Sequence, residues 1–130
     1  MTPRTVTGIE FPNAIAEGIV IVDFWAEWCV PCRAFAAVCK NVAAAMPDVA
    51  FVNVNTEVEA SLSEALGVNS LPTLMAFRDG VMLFREAGLY SEEAITVLIE
   101  KIGKLDMDEI RARVEANTAA DDAAAAAASE

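Results

Sequence analysis

Two cysteines three residues apart, Cys29 and Cys32, stand in the run Trp28-Cys29-Val30-Pro31-Cys32-Arg33. At that spacing two thiols close on each other as a small disulfide ring or open as a dithiol, a redox couple that needs no cofactor. The pair follows a strand-like apolar run, Ile19-Val20-Ile21-Val22-Asp23-Phe24-Trp25, and opens a helix-like stretch. A strand-to-helix turn places Cys29 at a helix N-terminus, where unpaired backbone N–H groups and the macrodipole favour a thiolate. Cys29 is therefore predicted to be exposed, with a pKa below the ~8.5 of a free cysteine, and to attack a substrate disulfide. Cys32, one turn in and shielded, then resolves the mixed disulfide by attacking Cys29. Pro31 has no N–H to leave unpaired near the helix start, and both it and Val30 stiffen the ring.

Asp23 is the second chemical feature. A carboxylate inside a central apolar strand is costly when ionised, so its pKa is expected to rise towards neutrality. Strand alternation puts Asp23 and Trp25 on one face, under the helix that carries Cys32. A carboxyl that titrates near neutral pH takes the proton from Cys32 as that thiol attacks. The third cysteine, Cys39, lies on the buried stripe of the same helix and reads as a core residue. It stands seven residues beyond Cys32, about 10 Å along the helix axis, too far for a bridge within the helix.

The elements that must position these groups follow from apolar periodicity. Residues 3–6 are a weak edge strand, and Phe11 to Glu17 a short helix closed by Gly18. Residues 19–25 are β-branched and continuously apolar, hence a central strand buried on both faces. A helix from about Cys29 to Met46 carries Phe35, Val38, Cys39, Val42 and Met46 on one stripe and stops at Pro47. Val49 to Val54 is a second buried strand. Glu57 to Leu66 is helical, with Val58, Leu62 and Leu66 on one face. Thr73–Phe77 and Val81–Phe84 form a hairpin around Arg78-Asp79-Gly80. Ser91 caps a helix with Glu92 and Glu93 in its first turn and Ile95, Leu98, Ile99 and Ile102 inward. The order β-α-β-α-β-β-α predicts an α/β fold, a mixed sheet with helices on both faces.

Residues 1–102 thus form one domain. Residues 103–118 add a C-terminal helix with Leu105, Met107, Ile110 and Val114 as its apolar stripe. Residues 119–130 are alanine-rich, acidic and without a large apolar residue, a composition expected to stay disordered.

Composition excludes several functions. The net charge of −11 repels phosphate backbones and anionic lipid, so neither nucleic acid nor membrane is expected as a partner. No histidine is present, which removes Ser-His-Asp and Cys-His nucleophile pairs. A zinc site needs four ligands of Cys or His type against three cysteines here, so no metal is expected. No stretch approaches the ~18 apolar residues of a membrane span, and Met1-Thr2-Pro3-Arg4 lacks the order of a secretory signal. The chain reads as cytoplasmic, where three cysteines are not a disulfide framework.

The segment Val22-Asp23-Phe24-Trp25-Ala26-Glu27-Trp28-Cys29-Val30-Pro31-Cys32-Arg33 resembles the active-site segment of the thioredoxin family. Leu71-Pro72-Thr73-Leu74, Asp79-Gly80 and Gly88 fall in that family's order and approximate spacing, and the resemblance covers residues 5–102. It implies the thioredoxin fold, a central mixed sheet of four to five strands with helices on both faces. It further implies a cis Leu71-Pro72 bond facing the cysteines. An apolar docking surface of Trp28, Val30, Pro31, Leu71, Pro72, Ala87 and Gly88 is implied as well, where an extended substrate segment pairs with the Leu71 backbone. The partners it implies are disulfide-containing proteins and a thioredoxin reductase, and the chain is expected to be a monomer. Three positions depart from the family pattern: Val30 replaces a usual glycine, Ala37 a common helix-kinking proline, and Phe51 a lysine that many members carry near the buried Asp.

The expected activity is reduction of protein disulfides. The competing expectation is an interaction module of the same fold, whose added helix and tail dock to a partner while redox chemistry is secondary.

Overall fold

The structure, a computed structural model, describes residues 3–116. In chain order the elements are β1 (Arg4–Thr5), α1 (Phe11–Ala14), β2 (Ile19–Trp25), α2 (Val30–Ala45), β3 (Ala50–Asn55), α3 (Ala60–Ala65), β4 (Thr73–Arg78), β5 (Val81–Ala87) and α4 (Glu92–Gly103). A further helix, α5, spans residues 107–116. The five strands form one sheet in the order β1-β3-β2-β4-β5. β1 and β2 run parallel to β3, whereas β4 is antiparallel to both β2 and β5. β2 lies at the centre, as its unbroken apolar run requires.

Each face of the sheet has its own core. On one, Ile21, Phe51, Leu74 and Ala76 of the strands meet Phe35, Cys39 and Val42 of α2 and Ile95, Ile99 and Ile102 of α4. On the other, Val20, Val22, Phe24, Val52, Val54 and Met75 meet Phe11 of α1, with Leu62 and Leu66 of α3 packed against them. Each fully buried side chain of this size contributes about 1.5–3 kcal/mol. Two buried faces on one sheet are the physical reason that β2 and β3 read as continuous apolar runs.

The hairpin turns on Asp79 and Gly80, both at positive φ (51° and 84°), the mirror-image turn that matches strand twist. This turn is also a junction. Asp79 Oδ1 accepts the Gly18 N–H at 2.8 Å, and the Gly80 N–H donates to the Ile15 carbonyl at 2.9 Å. Arg78 Nη1 donates to the carbonyls of Ile102 (2.9 Å) and Leu105 (3.2 Å), satisfying groups that the end of α4 leaves open. Arg111 of α5 reaches Asp79 at 3.5 Å.

Three expectations are corrected. α1 ends at Ala14 rather than Glu17, because the chain must turn early to bring Ile15 and Gly18 to the hairpin. α3 begins at Ala60 rather than Glu57, since Asn55 Oδ1 accepts the N–H groups of Glu57 and Val58 and holds them in a turn. Val58 consequently stands 74% exposed instead of facing the core. In the segment after Gly103, Asp106 Oδ1 caps α5 by accepting from Asp108 and Glu109. Of the four expected apolar residues there, Met107 is buried and Ile110 half-buried, while Leu105 and Val114 remain exposed. Residues 117–118 of the expected helix and the 119–130 tail lie outside the described residues.

Candidate active site

The site forms where β2 hands over to α2. Cys29 occupies the N-cap position of α2 with extended backbone (φ −85°, ψ 102°), and its Sγ accepts the Cys32 N–H at 3.2 Å. A half-cystine sulfur thus fills the capping role usually taken by serine or aspartate, with a helix N-terminal N–H donating to it. In the structure Cys29 and Cys32 are joined as a disulfide, with Cα atoms 5.3 Å apart. Val30 and Pro31 take the first helical positions.

The exposure expected of Cys29 is not what the structure shows. Cys29 is only 3% exposed. Its Sγ is drawn back by the bond to Cys32 and by the N–H it caps, so the neighbouring side chains stand above it. Exposure belongs instead to Trp28 (66%) and Val30 (73%), two large apolar groups facing solvent on either side of Cys29 in the chain.

Behind the disulfide lies Asp23. It is 5% exposed, and its Oδ1 is buried with no hydrogen-bond partner among the described residues. Burial pushes its carboxyl up to about 7. No lysine shares this core, and Phe51 stands beside Ile21 in the β2–β3 register, two residues from the Asp23 position. A cleft of about 390 Å³ connects the region to solvent and is lined by Asp23, Cys32, Trp25 and Asn53, with Thr5 and Arg33 at its edge. The carboxyl and the inner cysteine therefore face one shared space.

Sequence reasoning passed over the polar frame of this cleft. Asn53 is the register partner of Asp23 across the parallel β2–β3 pair, and its Oδ1 accepts from Trp25 Nε1 (3.1 Å) and Thr5 Oγ1 (2.8 Å). The available signal was a lone polar residue inside Phe51-Val52-Asn53-Val54, but its partner strand is set only by the fold. Cys39 is free and buried, as expected of a core residue. Burial, with the Asp23 charge adding to it, pushes its thiol up to about 12.

Of the remaining candidates, Leu71, Pro72, Ala87 and Gly88 lie together, and Trp28 shares a groove with Leu71. The Leu71-Pro72 bond is cis. β5 runs beside this segment: Ala87 is the register partner of Thr73, and the Gly88 N–H donates to the Pro72 carbonyl at 2.9 Å. Gly88 holds φ at 130°, a conformation that side chains rarely adopt. Leu71 is half-buried, Pro72 buried, and Ala87 exposed. Trp28 and Leu71 line one groove together. Val30 and Pro31 are exposed at the first turn of α2.

Residues 2–102 match the thioredoxin family model. The chain is 44% identical over 111 residues to "Putative thioredoxin 2" of Streptomyces coelicolor, covering 85% of this chain and 77% of that protein. With a thioredoxin of Chlamydia pneumoniae it shares 39% identity over 98 residues, 75% of this chain and 96% of the relative. Among solved structures, a mutant thioredoxin from Halobacterium salinarum superposes with a TM-score of 0.74 at 32% identity, covering 80% of this chain and 93% of that one.

Proposed function

The chain belongs to the thioredoxin family and is a thiol–disulfide oxidoreductase, and from that premise we propose how its own residues divide the reaction. Cys29, capping α2 and facing a helix N–H, is the attacking thiolate. It breaks a substrate S–S bond and forms a mixed disulfide, and the departing sulfur takes up a proton. Cys32 then gives its proton to Asp23 and attacks Cys29 Sγ, which releases the second substrate thiolate. The substrate disulfide has gained two electrons and the Cys29–Cys32 dithiol has lost them. A dithiol-regenerating reductase restores the couple.

The observation that carries this division is the shared cleft: a buried carboxyl, whose Oδ1 has no hydrogen-bond partner among the described residues, and the inner cysteine face the same space. A proton acceptor near neutral pH suits a step in which a thiol must ionise while it attacks. Trp28, Val30, Pro31, Leu71, Pro72, Ala87 and Gly88 are proposed to form the docking surface: Cys29 is recessed, Trp28 and Val30 stand exposed on either side of it in the chain, and Trp28 shares a groove with Leu71.

The family brings disulfide-bearing substrates and a reductase as partners in general; we propose thioredoxin reductase specifically, and a monomer as the working form. Residues 3–102 are proposed as the catalytic domain and the helix after Gly103 as an addition to it. No helix among the described residues is long and apolar enough to cross a membrane. A couple kept reduced works where thiols are kept reduced, so cytoplasmic action accompanies the reading. Dithiothreitol-driven reduction of insulin tests it. The wild-type chain accelerates precipitation of the insulin B chain. The reading fails if Cys29→Ser does so equally well.

A further inference from the structure

A second groove, of about 310 Å³, starts at Trp28 and runs along α3, walled by Thr56, Ala60, Glu64, Val68 and Leu71. It is continuous with the docking surface through Trp28 and Leu71. One wall is apolar, made by the indole, Val68, Leu71 and Ala60. Among the described residues, Glu64 is the sole charged one lining it. Among the described residues the Glu64 carboxylate makes no ion pair. The basic residue near the end of α3, Arg85, does not line the groove and donates Nη1 to the Leu66 carbonyl at 2.9 Å.

A groove with an apolar wall and one free carboxylate suits a long basic side chain. Its methylene stem lies on the apolar surface, its cation meets the acid, and a nearby indole face adds cation–π attraction. An acidic side chain in the same place would meet repulsion from Glu64. Because the groove opens beside Cys29, the residue that enters it must lie close in sequence to the half-cystine under attack.

We infer that the Trp28–Glu64 groove selects disulfide substrates carrying lysine or arginine within two residues of the attacked half-cystine, with Glu64 as the specificity-determining residue. This rests on the proposed docking of substrate at Trp28 and Leu71.

The test uses the reduced full-length chain and disulfide peptides that are identical except for Lys, Glu or Ala at each flanking position. Second-order reduction rates are measured by stopped flow at low salt. The wild type is expected to favour the Lys over the Glu peptide roughly fivefold at one flanking position, the size of one exposed ion pair set against one repulsion. Half-molar salt shrinks this ratio. Glu64→Gln brings it near one and Glu64→Lys reverses it, whereas Glu100→Lys, the same charge change on α4, keeps it. A ratio taken within one variant does not depend on how much of that variant is folded. A wild-type ratio near one at every position overturns the inference, as does a Glu64→Lys ratio equal to that of Glu100→Lys. Failure of the wild type to reduce any peptide, the Ala series included, overturns the proposed function itself.

Discussion

Helix α2 carries three cysteines' worth of chemistry in two very different places. At its N-terminal end, Cys29 caps the helix and accepts a backbone N–H; in its interior, Cys39 is sealed within the core. Burial and the Asp23 charge push the interior thiol up to about 12, far from anything that ionises at neutral pH. The capping sulfur instead sits at the helix terminus against a backbone N–H. One residue type thus stands on one helix as a redox half-cystine at one end and as a buried core residue about 15 Å further on, at ~1.5 Å of rise per residue over ten residues. The two sulfurs differ in surroundings rather than in chemistry: one takes a helix-terminal N–H, the other only core packing.

The strongest way to break this contrast is to remove the end cysteine. Cys29→Ser is expected to abolish insulin reduction, a loss of at least about a thousandfold for losing the only activated nucleophile. Cys32→Ser, by contrast, should accumulate a mixed disulfide that survives non-reducing electrophoresis.

A second measurement compares the thiols directly. Iodoacetamide at pH 7 should alkylate Cys29 of the reduced protein at least about a thousandfold faster than Cys39, since a thiol titrating about five units above ambient pH is ionised to roughly one part in 10⁵. Mass spectrometry of the peptides reads the ratio, and comparable labelling of both would erase the distinction drawn between end and interior.

Asp23 couples the two places, so Asp23→Asn sharpens the contrast from both sides. Resolution of the mixed disulfide should slow by about a hundredfold at neutral pH, the low end for a lost general base. In the wild type that step should quicken as pH rises through about 7, where the carboxyl becomes a base, and the variant should lose this dependence. Stability moves the other way. The folded state keeps the Asp23 proton up to about pH 7 while the unfolded chain releases it near 3.8, so native stability falls as pH rises between those values. Asp23→Asn should therefore gain about 2–4 kcal/mol relative to wild type on going from pH 4 to pH 8, read by denaturant midpoints. A pH-independent difference would show that the carboxyl is not held neutral.

The smallest effect concerns the interior thiol alone. Cys39→Ala should cost about 1 kcal/mol, the burial of a group near one methylene in size, and leave insulin reduction unaltered. Lost activity without lost stability would give Cys39 a chemical role.

Local order was largely legible in the chain. The β2 run, the Pro47 stop, the Asp79-Gly80 turn and the Ser91 cap each depend on residues within a few positions, and each lies where patterning puts it. What could not be read is non-local or depends on a competing local bond. The recess of Cys29 follows from ring closure and from Trp28 and Val30 rising beside it, although helix position alone suggested exposure. The late start of α3 follows from one asparagine outbidding the helix for two N–H groups. The frame of Thr5, Trp25 and Asn53 joins three segments, and no spacing in the chain announces it.

The Arg78–Asp79 junction gives the molecule two poles. β4 runs six residues from Thr73, beside the cis bond, to Arg78, about 17 Å away at ~3.4 Å per residue. At that far pole the hairpin turn fastens the ends of α1 and α4 and the Arg111 side of α5. A surface linker, dye or resin attached through an exposed α5 position such as Arg113 would hold the protein by its fastening pole. The disulfide would then be presented, unobstructed, to whatever partner is supplied.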